Sequence, residues 1–562
     1  MFYNGNQFTS DLEKAEAFNS FFVSVFAAKI GYNNSAPSSS KINLHEVDIL
    51  PNEIHDALLS CDDSTSTGSD QIPSFVLRSC ANILTPVICS LFSWVLKSKK
   101  WPQGWKTSYV TPLYKSDSRS QIANYRPISI LPKISLILER ILFNSIYLKV
   151  RNSIKVEQHG FMRKRSTTSQ MIIYLDQVFH ALDNNIGSLA IYFDIKKAFD
   201  SVPHHLLLSK LECYGFNEDF MVLFDSYLCE RSQCVKINDT LSSQKPVSSG
   251  VPQGSVLGPL FFLLFVNDMP DNLTHSNFYL FADDLKIFSS ASEADIQADI
   301  NKLTDWCTLN GIHFNAKKCK LLSFGYELAA DLLLEDASIQ HSDLITDLGF
   351  LVAPNLNWKQ HIDLKLAKSS KVFYFLKRNV PFGTVSSKKK LLYQSLILSV
   401  LLYGSPVWVP SIAYFRKLEK FQMKVLNWIG SERDYVSALK LYGLLPICHR
   451  MIIADVVLLW KLCNGFVDIG HNLQFSSRPT RSSTQGLLVV PKTKKISTEA
   501  NFFVRATRST NELIRLGAIN LQMPLSNLKI SLCRFFNLKI ESFNYNNPCC
   551  YFLKCYCSTC RT

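Results

Sequence analysis

Apolar residues recur at helical spacing along most of this chain and give way to strand-like runs only near its middle. Residues 11–31 place Ala15, Phe18, Phe21 and Phe22 on one face, which predicts an amphipathic helix. Residues 51–59 predict a second, with Pro51 in its first turn. Helical periodicity returns over 75–98 and 134–150, while 33–40 and 62–70 are polar, loop-like stretches. Residues 188–194, Ser-Leu-Ala-Ile-Tyr-Phe-Asp, instead form an unbroken run of strand formers that ends on a carboxylate. The short runs 278–282 and 285–288 are split by Asp283-Asp284, the pattern of a hairpin. Residues 261–266 predict an apolar helix, and 361–463 is helical and basic. Residues 476–500, rich in Ser, Thr and Lys, predict an exposed linker. The uncharged stretch 391–415 imitates a membrane span. Gln394, Ser395, Ser399, Gly404, Ser405, Pro406 and Pro410 interrupt it, so a buried helix ending at Gly404 is expected. The length of 562 residues suggests several domains.

Charge sharpens this outline. Over 562 residues, 60 Lys and Arg oppose 46 Asp and Glu, a formal net charge of +14. With 47% hydrophobic residues the chain is no disordered or collagen-like polymer. The basic excess implies an acidic partner, either nucleic acid or an anionic membrane. Residues 91–170 hold 15 basic and 3 acidic groups, 171–350 hold 11 and 24, and 351–430 hold 13 and 2. Basic walls gripping a polyanion over a cation-binding carboxylate site would produce this alternation.

The cysteines change the picture little. Five of the 16 (Cys549, Cys550, Cys555, Cys557 and Cys560) crowd the C-terminus, and the others show no recurrent spacing. The chain opens without a secretory signal pattern, so reduced thiols in an intracellular protein are expected. The terminal cluster offers zinc ligands, but no His follows and no standard finger spacing fits, which favours a reduced Cys-rich tail.

The acidic middle carries the candidate chemistry. Asp194 ends one apolar strand, and Asp283 and Asp284 occupy the turn of a hairpin. Adjacent carboxylates repel each other, and a divalent cation relieves that repulsion. Mg²⁺ favours carboxylate oxygens supplemented by substrate phosphates and water. Two such ions ~3.5–4 Å apart can activate an attacking hydroxyl and stabilise a leaving pyrophosphate. Taken alone, an Asp-Asp turn reads equally as a solvated hairpin.

The surrounding motifs decide between these readings. Between the carboxylates lies Ser249-Gly-Val-Pro-Gln-Gly-Ser-Val-Leu-Gly-Pro-Leu. Upstream are Tyr109-Val-Thr-Pro-Leu-Tyr-Lys, Asn124-Tyr-Arg-Pro-Ile-Ser-Ile-Leu-Pro and Gln158-His-Gly-Phe-Met-Arg-Lys-Arg-Ser-Thr-Thr. Downstream are Gly311-Ile-His-Phe-Asn-Ala-Lys-Lys-Cys-Lys and Asp347-Leu-Gly-Phe-Leu-Val. In this order the set closely resembles the reverse transcriptases of LINE-type non-LTR retrotransposons, of the jockey or chicken-repeat-like kind. The resemblance spans roughly residues 10–470.

That resemblance implies an α+β fold, a right-hand polymerase copying RNA into DNA, with helices on one face of an antiparallel palm sheet. It implies a helical connector over 1–90, fingers over 91–180, palm over 181–355, a helical basic thumb over 356–470, and a linker with a Cys-rich tail over 471–562. Phe193-Asp194-Ile-Lys-Lys-Ala-Phe199-Asp200 matches motif A. Asp194 and its neighbour Ile195 would then serve metal and nucleotide, and Phe199 would be the bulky gate against a ribose 2′-OH. Asp200 reads as a helix-entry or hydrogen-bonding residue rather than a ligand. Residues 250–259 match motif B, with Gln253 and Gly254 at the nucleotide, and Asp283 and Asp284 match motif C. Asn315 and Lys318 match motif D, whose Lys would protonate the pyrophosphate. Lys115 and Arg126 would face the triphosphate, Arg163 and Arg165 the template backbone, and Leu348-Gly349-Phe350 resembles the primer-grip turn. Lys417, Lys420 and Lys424 form one basic helical face beside the docking residues Leu418, Phe421 and Val425, an expected grip on an RNA–DNA duplex.

The implied cofactor is a pair of Mg²⁺ ions, with Mn²⁺ as substitute. The implied partners are dNTPs, a DNA primer or target and an RNA template, the element's own transcript, with no membrane. The nucleus is the expected place of action. The family usually carries an endonuclease before the polymerase, whereas Met1 opens here in what resembles the connector, so nicking is expected from elsewhere. Leu136 stands where the family commonly has Lys. The rival readings are a catalytically silent nucleic-acid-binding protein and a maturase-like splicing factor, which the Cys-rich tail fits poorly.

Overall fold

The computed structural model describes residues 1–3, 5–26, 42–470, 473–475 and 487–543. The 33–40 linker and the cysteine cluster at 549–560, with its zinc question, lie outside the described residues.

Five strands form the central sheet, in the order Gln340–His341, Lys320–Phe324, Ser188–Phe193, Asp284–Ser289, Asn277–Phe281. Every pairing is antiparallel except that of the edge strand Gln340–His341. Leu189, Ile191 and Phe193 point into one core, Ala190 points into another, and both cores are closed to water. A strand covered on both sides has no polar alternation to show, which is why 188–193 is apolar throughout.

This corrects the expectation of helices on one face only. One face carries Leu257–Val266 and Glu293–Leu309, in a core that continues through Lys133–Val150 and Ala81–Ser98. The other face carries Thr167–Asp183 and merges with helices Lys359–Asn379, Ile412–Ile429 and Ile447–Cys463. The sheet is therefore the partition between two cores.

A second sheet orders Tyr125–Ile130, Thr107–Tyr114, Arg231–Ile237 and Thr240–Leu241, with Lys245–Val247 also paired to Arg231–Ile237. Helix Asp11–Val23 begins in a capping box, in which Ser10 and Glu13 satisfy each other's end of the chain. It buries Ala15, Phe18 and Phe22 against Val110 and Val235 of this sheet. Its Asn19 is fully buried because the amide bonds Ser242 Oγ (3.0 Å), the Ser243 carbonyl (2.7 Å) and Gln233 Nε2 (3.0 Å). The buried hydrophobic residues described among the first 90 thus belong either to this small core or to the first core beneath the central sheet.

The stretch over 391–415 is helical as far as Leu401, close to the expected end, and again from Ile412, with Tyr393, Ile397 and Leu401 fully buried. It turns at Gly404, whose φ of +58° suits glycine and whose missing Cβ leaves room for the Phe350 ring. By length and composition one straight helix among the described residues, Ala81–Ser98, could cross a membrane. Its Thr85, Ile88, Phe92 and Val95 are nonetheless buried in the protein.

The C-terminal expectation needs revision. Residues 487–543 carry helices Phe502–Arg515 and Leu525–Leu538, both joined to the second core. They enter it through Phe502, Phe503, Leu513, Leu528, Leu532 and Phe536, while polar contacts tie down the segment before them. The Asp183 carboxylate accepts Lys494 N–H (2.9 Å), Lys495 N–H (2.8 Å) and Thr498 Oγ1–H (2.6 Å), tying 494–498 to the end of Thr167–Asp183. Asp183→Ala leaves two backbone N–H groups without their acceptor and should cost about 1–3 kcal/mol. Urea unfolding should show that loss, with earlier protease cleavage within 487–500.

Candidate active site

Strand register assembles the site. Phe193 pairs with Leu285, so Asp194, one residue beyond, comes to lie beside Asp284. Asp283 sits in the two-residue hairpin turn with Ala282, whose φ of +59° is the left-handed conformation such short turns use. The three carboxylates predicted from sequence therefore meet at one end of the central sheet.

They repel one another there. Burial raises the Asp283 carboxyl above its usual range; Arg126 and Lys115 pull it back, and Asp194 pushes it further up. Asp284 is pushed to about 6, first by the protein enclosing it and then by Asp283, Asp347 and Asp194. Basic groups answer from outside the sheet. Lys318 Nζ lies 3.8 Å from Asp194 Oδ2. Lys115, whose N–H is held by the Asn124 carbonyl at the loop end of the hairpin formed by Thr107–Tyr114 and Tyr125–Ile130, is depressed by burial and by Arg126 and Lys318, while Asp194 and Asp283 favour its charge. Lys115, Arg126 and Lys318 thus converge on the carboxylates.

A cavity of about 550 Å³ opens here, lined by Asp194, Asp284, Lys286, Lys318, Asp347 and Leu348. Among the described residues no three His, Cys, Asp or Glu side chains converge tightly enough to hold an ion unaided. The donor set nevertheless fits Mg²⁺, which takes one or two carboxylates and completes its shell with phosphate and water. Ile195 bridges Phe314, and on that side Asn315 N–H goes to the Asp194 carbonyl (2.7 Å). The loop bearing Asn315 and Lys318 is thereby stitched to the strand end.

The other predicted residues divide by environment. Phe199 is half-buried, stacked on Phe262 at 4.5 Å and met edge-on by Phe161 at 5.9 Å, so its ring is packed on two sides. Gln253 Nε2 donates to Asp200 Oδ1 (2.8 Å) and its carbonyl accepts Ser129 N–H (2.7 Å). Asp200 is thus a hydrogen-bonding residue, as its context suggests. Gly254, at φ +132°, passes so close to the Ser129 carbonyl that a Cβ would lie 2.3 Å from it. Arg163 is exposed, over the Tyr147 ring and bonded to Asn144 (2.7 Å).

Arg165 is the exception. Its side chain is 7% exposed, donates to the Lys155 and Gln158 carbonyls and pairs with Asp468 (3.5 Å). It faces the interior, not a template. Gly349, at φ +85°, turns between Ile345–Asp347 and Phe350–Val352, and Tyr403 Oη donates to the Leu348 carbonyl (3.1 Å). Lys417, Lys420 and Lys424 are exposed, while Leu418, Phe421 and Val425 are buried beneath them.

Two residues beside the site escaped the sequence reading. Lys286 and Asp347 form a buried ion pair, 4% and 6% exposed, that joins the carboxylate strand to the 345–352 hairpin. The Lys286 ammonium also lies 4.5 Å from the centre of the Tyr174 ring. A Lys inside the apolar run Leu285-Lys-Ile-Phe demands such a partner, but no pattern names Asp347 as the one.

Two outcomes follow from these burials. Lys286→Met strands the Asp347 charge and should cost about 3–5 kcal/mol, whereas Lys286→Met/Asp347→Leu should recover most of that stability in denaturant titrations. Burial raises Asp200 to about 6, with Gln253 and Lys197 opposing. The folded state therefore favours the protonated acid, and the resulting stabilisation, present below pH ~4, is lost as pH rises toward 6. Asp200→Asn should flatten the stability profile over that interval, by at most about 3 kcal/mol.

Comparison with known proteins places this geometry. Residues 114–352 match the family described as reverse transcriptase (RNA-dependent DNA polymerase). The chain is 26% identical over 389 residues to the RNA-directed DNA polymerase from mobile element jockey of Drosophila melanogaster, covering 66% of this chain and 42% of that protein. It is 25% identical over 398 residues to the probable RNA-directed DNA polymerase from transposon X-element of the same species, covering 67% and 44%. It thus spans less than half the length of these curated relatives. A solved apo telomerase from Candida tropicalis superposes with a TM-score of 0.32 and 13% identity over 50% of this chain and 67% of that one, too loosely to argue from. Residues 114–352 thus match a reverse transcriptase domain, and the chain around them is similar to the RNA-directed DNA polymerases of mobile elements.

Proposed function

We propose that this chain is an RNA-directed DNA polymerase that extends a DNA 3′-hydroxyl along an RNA template with dNTPs. The observation that carries the reading is the meeting of Asp194, Asp283 and Asp284 beneath Lys115, Arg126 and Lys318. Bound Mg²⁺ would supply hydroxyl activation and neutralise charge on the triphosphate. Asp194, Asp283 and Asp284 are the residues to hold it, with Ile195 beside them. Lys115 and Arg126 orient the triphosphate as cations, and Lys318 is the proton donor to the departing pyrophosphate. Phe199, braced by Phe262, stands where a ribose 2′-OH would collide, and Gln253 and Gly254 line the nucleotide's approach.

In this reading residues 91–180 are fingers, 181–355 palm and 356–470 thumb, with Phe502–Arg515 and Leu525–Leu538 extending the thumb. Arg163, the turn at Gly349, and Lys417, Lys420 and Lys424 hold template, primer and duplex. Phosphate contacts of this kind make affinity fall steeply with salt. The template is the element's own transcript, copied in the nucleus from a primer in target DNA.

The test is extension of a DNA primer on an RNA template with Mg²⁺ and dNTPs. The unsubstituted chain should extend. Asp283→Ala/Asp284→Ala should lose several kcal/mol of transition-state stabilisation, about a thousandfold in rate. Equal extension by the variant, or none by the unsubstituted chain, would overturn the reading and leave the catalytically silent nucleic-acid-binding protein in its place.

A further inference from the structure

We infer that Gln158 is a positioning residue that holds the carboxylate turn in its cation-binding conformation; the inference rests on the reading of Asp283 and Asp284 as ligands. A two-residue hairpin exchanges ladder hydrogen bonds between the residues flanking its turn, here Phe281 and Asp284, and leaves the first turn residue's N–H without a partner in the ladder. That residue is Ala282, 5% exposed and held at φ +59°, a conformation costing a non-glycine residue about 1–2 kcal/mol. Something outside the hairpin has to hold it.

Gln158 does so from a separate segment. Its side chain is buried at 2% exposure, and Oε1 accepts both Ala282 N–H (2.9 Å) and Gly160 N–H (2.8 Å). The backbone around it is laid along the hairpin's own strand, with Leu280 N–H donating to the Glu157 carbonyl (3.1 Å) and His159 N–H to the Leu280 carbonyl (2.8 Å). The approach is so close that a Cβ on Gly160 would lie 2.2 Å from Ala282 N.

Gln158 is itself held in place. Arg165 donates to its main-chain carbonyl (2.7 Å), and Arg165 is pinned by Asp468 from beyond helix Ile447–Cys463. Meanwhile Gln158 Nε2 is buried with no partner among the described residues. An unpaired buried amide donor is a standing cost that a residue chosen for stability alone would not carry. The two N–H groups on Oε1 define the amide's orientation, and one of them leads directly into Asp283.

The measurement is Mn²⁺ binding by electron paramagnetic resonance, on the full chain with an RNA–DNA primer–template. Gln158→Met keeps the length and removes the acceptor. Groups that orient ligands typically contribute 10- to 100-fold in metal affinity, so its Mn²⁺ Kd should rise at least about tenfold. Hybrid affinity without divalent cation should stay unchanged. A Kd within twofold of the unsubstituted chain would overturn the proposal, whatever happens to the melting temperature. Should Gln158→Met fail to fold, Gln158→Asn withdraws the acceptor by one methylene and is held to the same criterion. Asp283→Ala separates the two levels. If it binds Mn²⁺ normally, the ligand assignment itself falls. If it loses binding while Gln158→Met does not, only the positioning role falls.

Discussion

The antiparallel pairing of Ser188–Phe193 with Asp284–Ser289 is the constraint on which the rest of the molecule depends. Strand register advances in whole residues, and a slip of one would send Asp194 away from Asp284 and turn every core side chain to the opposite face. Because both faces of this sheet pack into cores, such a slip would set each side chain into space shaped for another on both sides. The two cores therefore secure the carboxylate geometry without touching the carboxylates themselves.

The site also shows how a fold can keep like charges together. Burial and mutual repulsion oppose ionisation of Asp283 and Asp284, and on their own strands only Lys286, already paired with Asp347, offsets this for Asp284. Relief comes from a different sheet through Lys115 and Arg126, and from the loop behind the sheet through Lys318. Lys286 serves a different purpose. Its charge is consumed by Asp347, and a buried pair of this kind gains little stability over an apolar one. What it does accomplish is to fix the 345–352 hairpin against the carboxylate strand. Tyr403 then fastens the same hairpin to the helical region through the Leu348 carbonyl. Carboxylates, turn and helices form one mechanically continuous unit.

Much of this was legible in the chain. The apolar run ending at Asp194, the hairpin split by Asp283-Asp284, and the helices at 51–59, 134–150 and 412–429 follow from periodicity, because burial on one or both faces writes itself into residue spacing. The C-terminal helices were read as part of a linker and tail because the polar composition over 476–500 was carried past its end, although Phe502, Phe503, Leu528, Leu532 and Phe536 are core residues. Only the docking of 494–498 on Asp183 is of the polar kind that hydrophobic patterns do not report. Arg165 was assigned with Arg163 to the template backbone through the family resemblance; that it instead turns inward to the Lys155 and Gln158 carbonyls and to Asp468, far along the chain, is a matter of tertiary structure.

By itself, the sequence determined which residues could do chemistry and on which kind of element each would stand. Asp194 at a strand end, Asp283-Asp284 at a turn, and basic flanks around an acidic middle are local facts, set by side-chain type and spacing. Tertiary structure decided which of them meet. Lys115 with Asp283, Gln253 with Asp200, Lys286 with Asp347 and Gln158 with Ala282 are pairs separated by 53 to 168 positions along the chain. Their partnership follows from register, close backbone approach and the exclusion of water between two cores, and none of these is a property of any one segment.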